Sequence, residues 1–122
     1  MLIIKTEAKP STIHGIGCFA KQAVVKGQVV WEFHPQADRK YTLEELAKLP
    51  TAVIEHLRTY AWLNPADGNI LFSGDHSKFF NHSNHPNTSM TSDGYQCIAN
   101  RDIAAGEELT SDYGELPGIP ER

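Results

Sequence analysis

The sequence predicts a mostly β, α+β domain, and three observations carry that reading. Apolar runs are short and are cut every few residues by glycine, proline, asparagine or aspartate. Helical spacing occurs only in the region after Tyr41. The chain has 122 residues, enough for one domain and too few for two, and its apolar fraction of 40% supplies one modest core. Short strands with a single helical insert make a β-rich α+β layout.

Leu2 to Ile4 is a short apolar run suited to a strand, broken by Pro10-Ser11-Thr12. His14-Gly15-Ile16-Gly17 reads as a glycine turn. Cys18 to Val25 and Val29 to Phe33 read as two strands parted by a Lys26-Gly27 turn. Thr42 is suited to cap a helix, with Glu45 three residues on reaching back to it, and Pro50 ends that helix. A second helix is expected from Ala52 to Tyr60, with Val53, Ile54, Leu57 and Ala61 on its core face. Asn64 to Asn69 is a turn, Ile70 to Phe72 a strand, Tyr95 to Ala99 another, and Arg101 to Glu107 a turn around Ala105-Gly106. Glu108 to Thr110 begins a last strand.

Net charge is −4 with a pI near 5.8. Nucleic-acid binding leans on clustered Lys and Arg, so no nucleic-acid partner is expected, and a basic protein partner suits the balance better. Cys18 and Cys97 are too few for a disulfide framework or a cysteine zinc cluster, and a reducing compartment follows. The opening MLIIKTEAKP lacks the apolar stretch of a signal peptide, and nothing approaches the ~20 apolar residues of a membrane span. A soluble protein is expected, cytoplasmic if bacterial, with nuclear or host-directed locations left open.

The stretch Lys78 to Thr88, KFFNHSNHPNT, gathers Asn81, His82, Ser83, Asn84, His85 and Asn87 behind Phe79 and Phe80. An asparagine amide, and the backbone beside it, offers a donor and an acceptor together, which matches the edge of an adenine. The same residues equally make a turn in which Asn and Ser side chains bond nearby backbone. His76, His82 and His85 beside Asp75 raise a metal site, but their spacing matches no helical HExxH pair and Pro86 argues against a helix. No metal is expected, and a metal-dependent hydrolase is disfavoured with it. Gly15 and Gly17 allow close backbone approach to a ligand, although a third glycine of the dinucleotide fingerprint is missing. Tyr113 ends the run GEELTSDY, where a strand-end phenol can hydrogen bond in a cleft or sit half buried with a wet tip.

In this order, HGIG, FFNHSNHPNT and GEELTSDYG resemble the SET domain family of protein lysine methyltransferases. The resemblance covers about residues 12–115 of a single domain at 1–122, with a helical insert at about 42–62 and a tail at 114–122. The size is similar to small stand-alone bacterial and viral members. The resemblance implies a β-clip of several short sheets closed by a C-terminal pseudoknot. It implies S-adenosylmethionine as cofactor, with Asn81 and His82 at the adenine end and Gly15, Ile16 and Gly17 around the methionine end. It places Tyr113 by the transferring methyl group, serving both cofactor binding and catalysis, and makes Tyr60 in TYAWL the candidate for a second channel tyrosine. Tyr60 reads equally as a core aromatic, and Tyr41 is expected to be exposed. The implied reaction is methyl transfer to the side-chain amine of a lysine in a protein, such as a histone-like tail or another basic protein. That amine, with an ordinary pKa of ~10.4, must first lose a proton. The cysteines that many members carry around the NHS segment are replaced here by Asn84 and Thr88, so no zinc-bound cap is expected, and Met90 stands where some members place another aromatic. Either the short tail folds over the site or a second subunit of a homodimer completes it. A non-catalytic module binding a basic peptide or a partner protein is the alternative reading.

Overall fold

The computed structural model describes residues 1–120. Ten short strands and two helices follow one another along the chain: β1 (Thr6–Pro10), β2 (Ile16–Ala20), β3 (Val29–Glu32), β4 (Asp38–Tyr41), α1 (Leu43–Ala47), α2 (Thr51–Tyr60), β5 (Trp62–Leu63), β6 (Ile70–Ser73), β7 (Asn81–His82), β8 (Thr88–Met90), β9 (Gln96–Ala99) and β10 (Glu108–Ser111). A turn of 3-10 helix, His76–Phe79, leads into β7. The strands form three small sheets, ordered β1-β2-β10-β7, β3-β9-β8 and β4-β6-β5. This is the fold class expected, mostly strands in several small sheets. No helix among the described residues is long and apolar enough to cross a membrane.

β10 positions the site. Its first half pairs antiparallel with β2, Glu108 opposite Phe19 and Leu109 opposite Cys18. Its second half pairs parallel with β7, Thr110 opposite Asn81 and Ser111 opposite His82. The C-terminal strand is thus drawn between two segments far from it in sequence. Side chains from the end of the β7–β8 connection and the start of β8 lock it: Asn87 Nδ2 donates to the Glu108 carbonyl at 2.8 Å, Thr110 N–H donates to Asn87 Oδ1 at 2.9 Å, and the Thr88 hydroxyl donates to the Thr110 carbonyl at 2.6 Å. Asn87 and Thr88 are fully buried, so these bonds replace water that neither side can reach.

Two apolar clusters share the chain. The larger gathers Cys18, Ala20, Val24, Val30, Trp31, Phe80, Cys97, Ala99, Ile103 and Leu109 from the first two sheets. The smaller gathers Leu46, Leu57, Ala61, Ile70 and Ile119 beneath the helical insert. Burying one such leucine contributes roughly 1.5–3 kcal/mol.

Several local expectations are corrected. Leu2 to Ile4 makes only one bridge, Leu2 to Trp31, and the first strand starts at Thr6 with Pro10 inside it. β1 is an edge strand, where a missing N–H costs no ladder bond. The strand from Cys18 ends at Ala20, and Val24 makes a lone bridge to Ile103. Thr42 caps α1 by accepting from Glu45 N–H at 3.0 Å, and this bond alone joins the two residues. Val53 is exposed, whereas Leu57 and Ala61 are buried. Tyr41 is half-buried, because as the end of β4 it packs against the smaller cluster.

Candidate functional site

The three sequence motifs meet at Glu108. Its Oε1 accepts from the Ser11 hydroxyl at 2.7 Å and its Oε2 from Asn81 Nδ2 at 2.8 Å. The second Asn81 amide hydrogen goes to the His14 carbonyl at 3.0 Å. A Cβ on Gly17 would stand 2.5 Å from Glu108 Oε2, so only glycine fits there while the carboxylate keeps its place. Gly15 is required for another reason: its φ of +45° lies in the left-handed region, with open space where a Cβ would point. Asn81 is buried and both its amide hydrogens are bound within the protein.

β7 is an edge of its sheet. Ser83 N–H donates to the Ser111 carbonyl, so Ser83 and, by alternation, Asn81 turn their backbone groups toward β10. The N–H and C=O of His82 then face outward, side by side and unpaired. Its side chain faces Tyr113. Nδ1 accepts from Tyr113 N–H at 3.0 Å, and Nε2 lies 3.1 Å from Asn84 Oδ1. Acceptance at Nδ1 places the ring proton on Nε2, as a donor to Asn84. The 3.9 Å separation between Nδ1 and Asp112 Oδ1 is therefore not an ion pair. The rings of His82 and Tyr113 lie 5.4 Å apart.

The Tyr113 hydroxyl donates to the Phe80 carbonyl at 2.7 Å. Burial pushes its pKa above the ordinary tyrosine value, although half of the side chain is exposed, so the phenol is neutral at physiological pH. A cavity of about 290 Å³ opens beside it. Tyr113 and Tyr60 both line this cavity, with Trp31, Trp62, Phe80 and Lys78. The two tryptophans meet edge to face at 5.5 Å, and the Trp31 indole N–H donates to the Ser73 hydroxyl at 3.1 Å. Lys78 Nζ lies 5.8 Å from the Tyr60 ring centre and 5.6 Å from that of Phe79. Ser111 also lines the wall; its hydroxyl is buried and has no hydrogen-bond partner among the described residues.

The chain's tail folds back onto the site. Glu115, Leu116 and Gly118 line the cavity, Leu63 N–H donates to the Pro117 carbonyl at 2.8 Å, and Ile119 is buried in the smaller cluster. Glu121 and Arg122, the end of the expected tail, lie outside the described residues. The histidines do not converge: His76 Nδ1 lies 3.3 Å from the Thr6 hydroxyl, while His82 turns to Tyr113 and Asn84. No group of three His, Cys, Asp or Glu side chains suited to a metal occurs among the described residues.

Of the residues singled out in the sequence, Tyr60 and Tyr113 come together at the cavity. Gly17 and Asn81 meet at Glu108, Gly15 closes the adjoining turn with Ser11, Ile16 is exposed at the start of β2, and His82 lies on the outer edge of β7; none of these five lines the cavity. Sequence reasoning gave Glu108, Ser11 and Lys78 no role. The glycine at 17 was the available signal for Glu108, since a glycine inside a strand asks what occupies the space of its missing side chain. Ser11 read only as a strand breaker, and nothing local marks Lys78.

The SET domain family profile matches residues 15–114. Among solved structures, a Plasmodium falciparum protein proposed to be a histone methyltransferase is similar, with a TM-score of 0.63 and 18% identity, over 91% of this chain and 94% of that one. A humanized mutant of the Chaetomium thermophilum Polycomb Repressive Complex 2, bound to an inhibitor, is similar with a TM-score of 0.68 and 23% identity, over 93% of this chain and 15% of that one. No curated protein sequence matches significantly. At these identities the two structures testify to the fold alone. The profile covers most of the sequence, and its span holds the glycine turn, the Asn81–His82 edge and the strand that joins them; the chain belongs to the SET domain family.

Proposed function

We propose that the chain transfers a methyl group from S-adenosylmethionine to the side-chain amine of a lysine in a protein. The observation that carries this reading is the shared cavity of Tyr60 and Tyr113, two phenols 53 positions apart in a chain of 122 residues, walled by aromatic rings.

The residues present suit the cofactor. The outward N–H and C=O of His82 form an adjacent donor and acceptor, the complement of adenine's ring nitrogen and amino group. Open space at Gly15 permits close approach of a ligand to the turn. Asn81 holds that turn through its amide hydrogens, which are already bound, and leaves its Oδ1 as an acceptor for the adenine end of the cofactor. His82 and the turn Gly15 to Gly17 would hold the cofactor, which supplies an electrophilic methyl group on a sulfonium sulfur.

The chain's own residues then prepare the amine. The Tyr113 hydroxyl, by donating to the Phe80 carbonyl, is left as an acceptor toward the cavity. An incoming amine donates one N–H to it, which turns the nitrogen lone pair away from the phenol. Trp31, Trp62 and Tyr60 exclude water from the aliphatic stem. Lys78 on the same wall disfavours a second positive charge and so favours the neutral, nucleophilic amine. Catalysis rests on alignment, for which misplacement costs on the order of 100-fold.

Labelled methyl transfer onto a lysine-bearing basic protein tests this. The wild-type chain incorporates label, and Tyr113→Phe lowers the rate by about 10- to 100-fold. Equal labelling by the variant removes Tyr113 from the mechanism. A wild-type chain that neither labels protein nor binds S-adenosylhomocysteine ends the reading.

A further inference from the structure

We propose that Glu108 is the positioning residue of the cofactor cleft: its carboxylate clamps the turn before β2 to the Asn81–His82 edge and so sets cofactor affinity. The cofactor half of this inference rests on the reading given above; the clamp itself rests on geometry alone.

Each carboxylate oxygen serves a different segment. Oε1 takes the single hydroxyl proton of Ser11. With its proton directed there, the Ser11 oxygen accepts from the N–H groups of Ile13 at 2.9 Å and His14 at 3.4 Å. The Ser11 N–H closes the turn by donating to the Gly15 carbonyl at 2.8 Å. Oε2 takes one amide hydrogen of Asn81, whose other hydrogen returns to the same turn at the His14 carbonyl. The result is a closed ring of hydrogen bonds: carboxylate, hydroxyl, turn, amide, carboxylate. Both arms of the proposed cleft belong to it, and the carboxylate fills the space under Gly17 that would otherwise let the turn collapse inward.

The carboxylate is bound by neutral donors, and none of the ion pairs among the described residues includes it. Glu108→Gln keeps the shape but replaces one acceptor by an NH2 group. Toward Asn81 that group meets donor with donor; toward Ser11 it can donate only to a hydroxyl oxygen that already accepts from Ile13 and His14 and must turn its own proton away, so either way one link of the ring weakens. Ser11→Ala opens the ring at its other side without touching Glu108.

The full chain is examined as wild type, Glu108→Gln, Ser11→Ala and the double variant. In the free protein, Glu108→Gln speeds amide hydrogen exchange both in Ile13 to Gly17 and in Asn81 to Ser83. It weakens S-adenosylhomocysteine binding by about tenfold and raises KM for S-adenosylmethionine similarly, while kcat at saturating cofactor stays within about threefold. Ser11→Ala acts in the same direction, and the double variant is less than additive. The inference is overturned if exchange in either segment is unchanged, or if affinity is unchanged when both segments loosen. Equal losses in kcat and kcat/KM with unchanged KM, alongside a fall in melting temperature, overturn it in favour of a purely structural role. If the wild type binds no S-adenosylhomocysteine, the cofactor assignment fails, and the exchange data still decide whether Glu108 joins the two segments.

Discussion

Around β10, segments distant in sequence are joined by polar side chains: Glu108 to Ser11 and Asn81, Asn87 to Glu108 and Thr110, Thr88 to Thr110. Beneath the helical insert, around the start of β6, the joints are apolar, with Leu46 and Leu57 from the helices, Ile70 from the strand and Ile119 from the tail; polar joints return only at its far end, where the Ser73 hydroxyl meets Trp31 and Asp38. Hydrogen bonds fix direction as well as distance, whereas apolar contacts hold surfaces together and tolerate small shifts. The region proposed to grip a small cofactor is thus built for fixed geometry. The region that brings Tyr60 and the tail to the cavity proposed for lysine is built for adaptable closure.

The sharpest break in this comparison is Asn87→Ala. It strands the Thr110 N–H and the Glu108 carbonyl in a buried site, at a cost of roughly 4 kcal/mol read by urea denaturation. A cost below about 1 kcal/mol would show that polar joints do not hold this side. Leu57→Ala comes next. Leu57 is 3% exposed, and its truncation costs about 3 kcal/mol. The comparison is sharpened if that variant keeps its affinity for S-adenosylhomocysteine while KM for the protein substrate rises, since Tyr60 ends the same helix. An equal loss of both would merge the two regions into one. The smallest effect is spectroscopic. Burial favours the neutral form of Tyr113, so ultraviolet titration contains a phenol transition above the ordinary ~10, and Tyr113→Phe removes it. The bond from Tyr113 to the Phe80 carbonyl needs the proton, so it is present at neutral pH and is lost as pH rises through the raised value.

What the sequence revealed follows sheet position. Of the five observed strands read in advance, β2, β6, β9 and β10 are central in their sheets, flanked by neighbours on both sides, and only β3 is an edge. Those not read as strands, β1, β4, β5, β7 and β8, are all edges. An edge strand needs little apolar character, and charge there discourages wrong pairing. β4 shows the effect: Asp38-Arg39-Lys40-Tyr41 has no alternation to read, yet it pairs with β6 over all four residues. The site was legible in the same uneven way. Tyr113 could be named because a strand-end phenol invites a cleft reading, and Tyr60 only through the family resemblance, from its place after the helical insert. The partnership of Asn81 with Glu108 could not, because it spans 27 positions and depends on β10 lying between β2 and β7. The exposure of Val53 was illegible for a related reason. α2 presents a narrow apolar stripe, and spacing alone does not locate its centre.

Trp31 and Trp62 are the only two tryptophans in the chain, and both stand on the cavity wall with their rings in contact. The native fluorescence of this protein therefore originates where occupancy would change its surroundings. Unlabelled protein in a cuvette carries its own gauge of filling: Trp31 is buried, so quenching by a soluble agent compared with and without a candidate peptide reports how far the half-buried Trp62 has been covered.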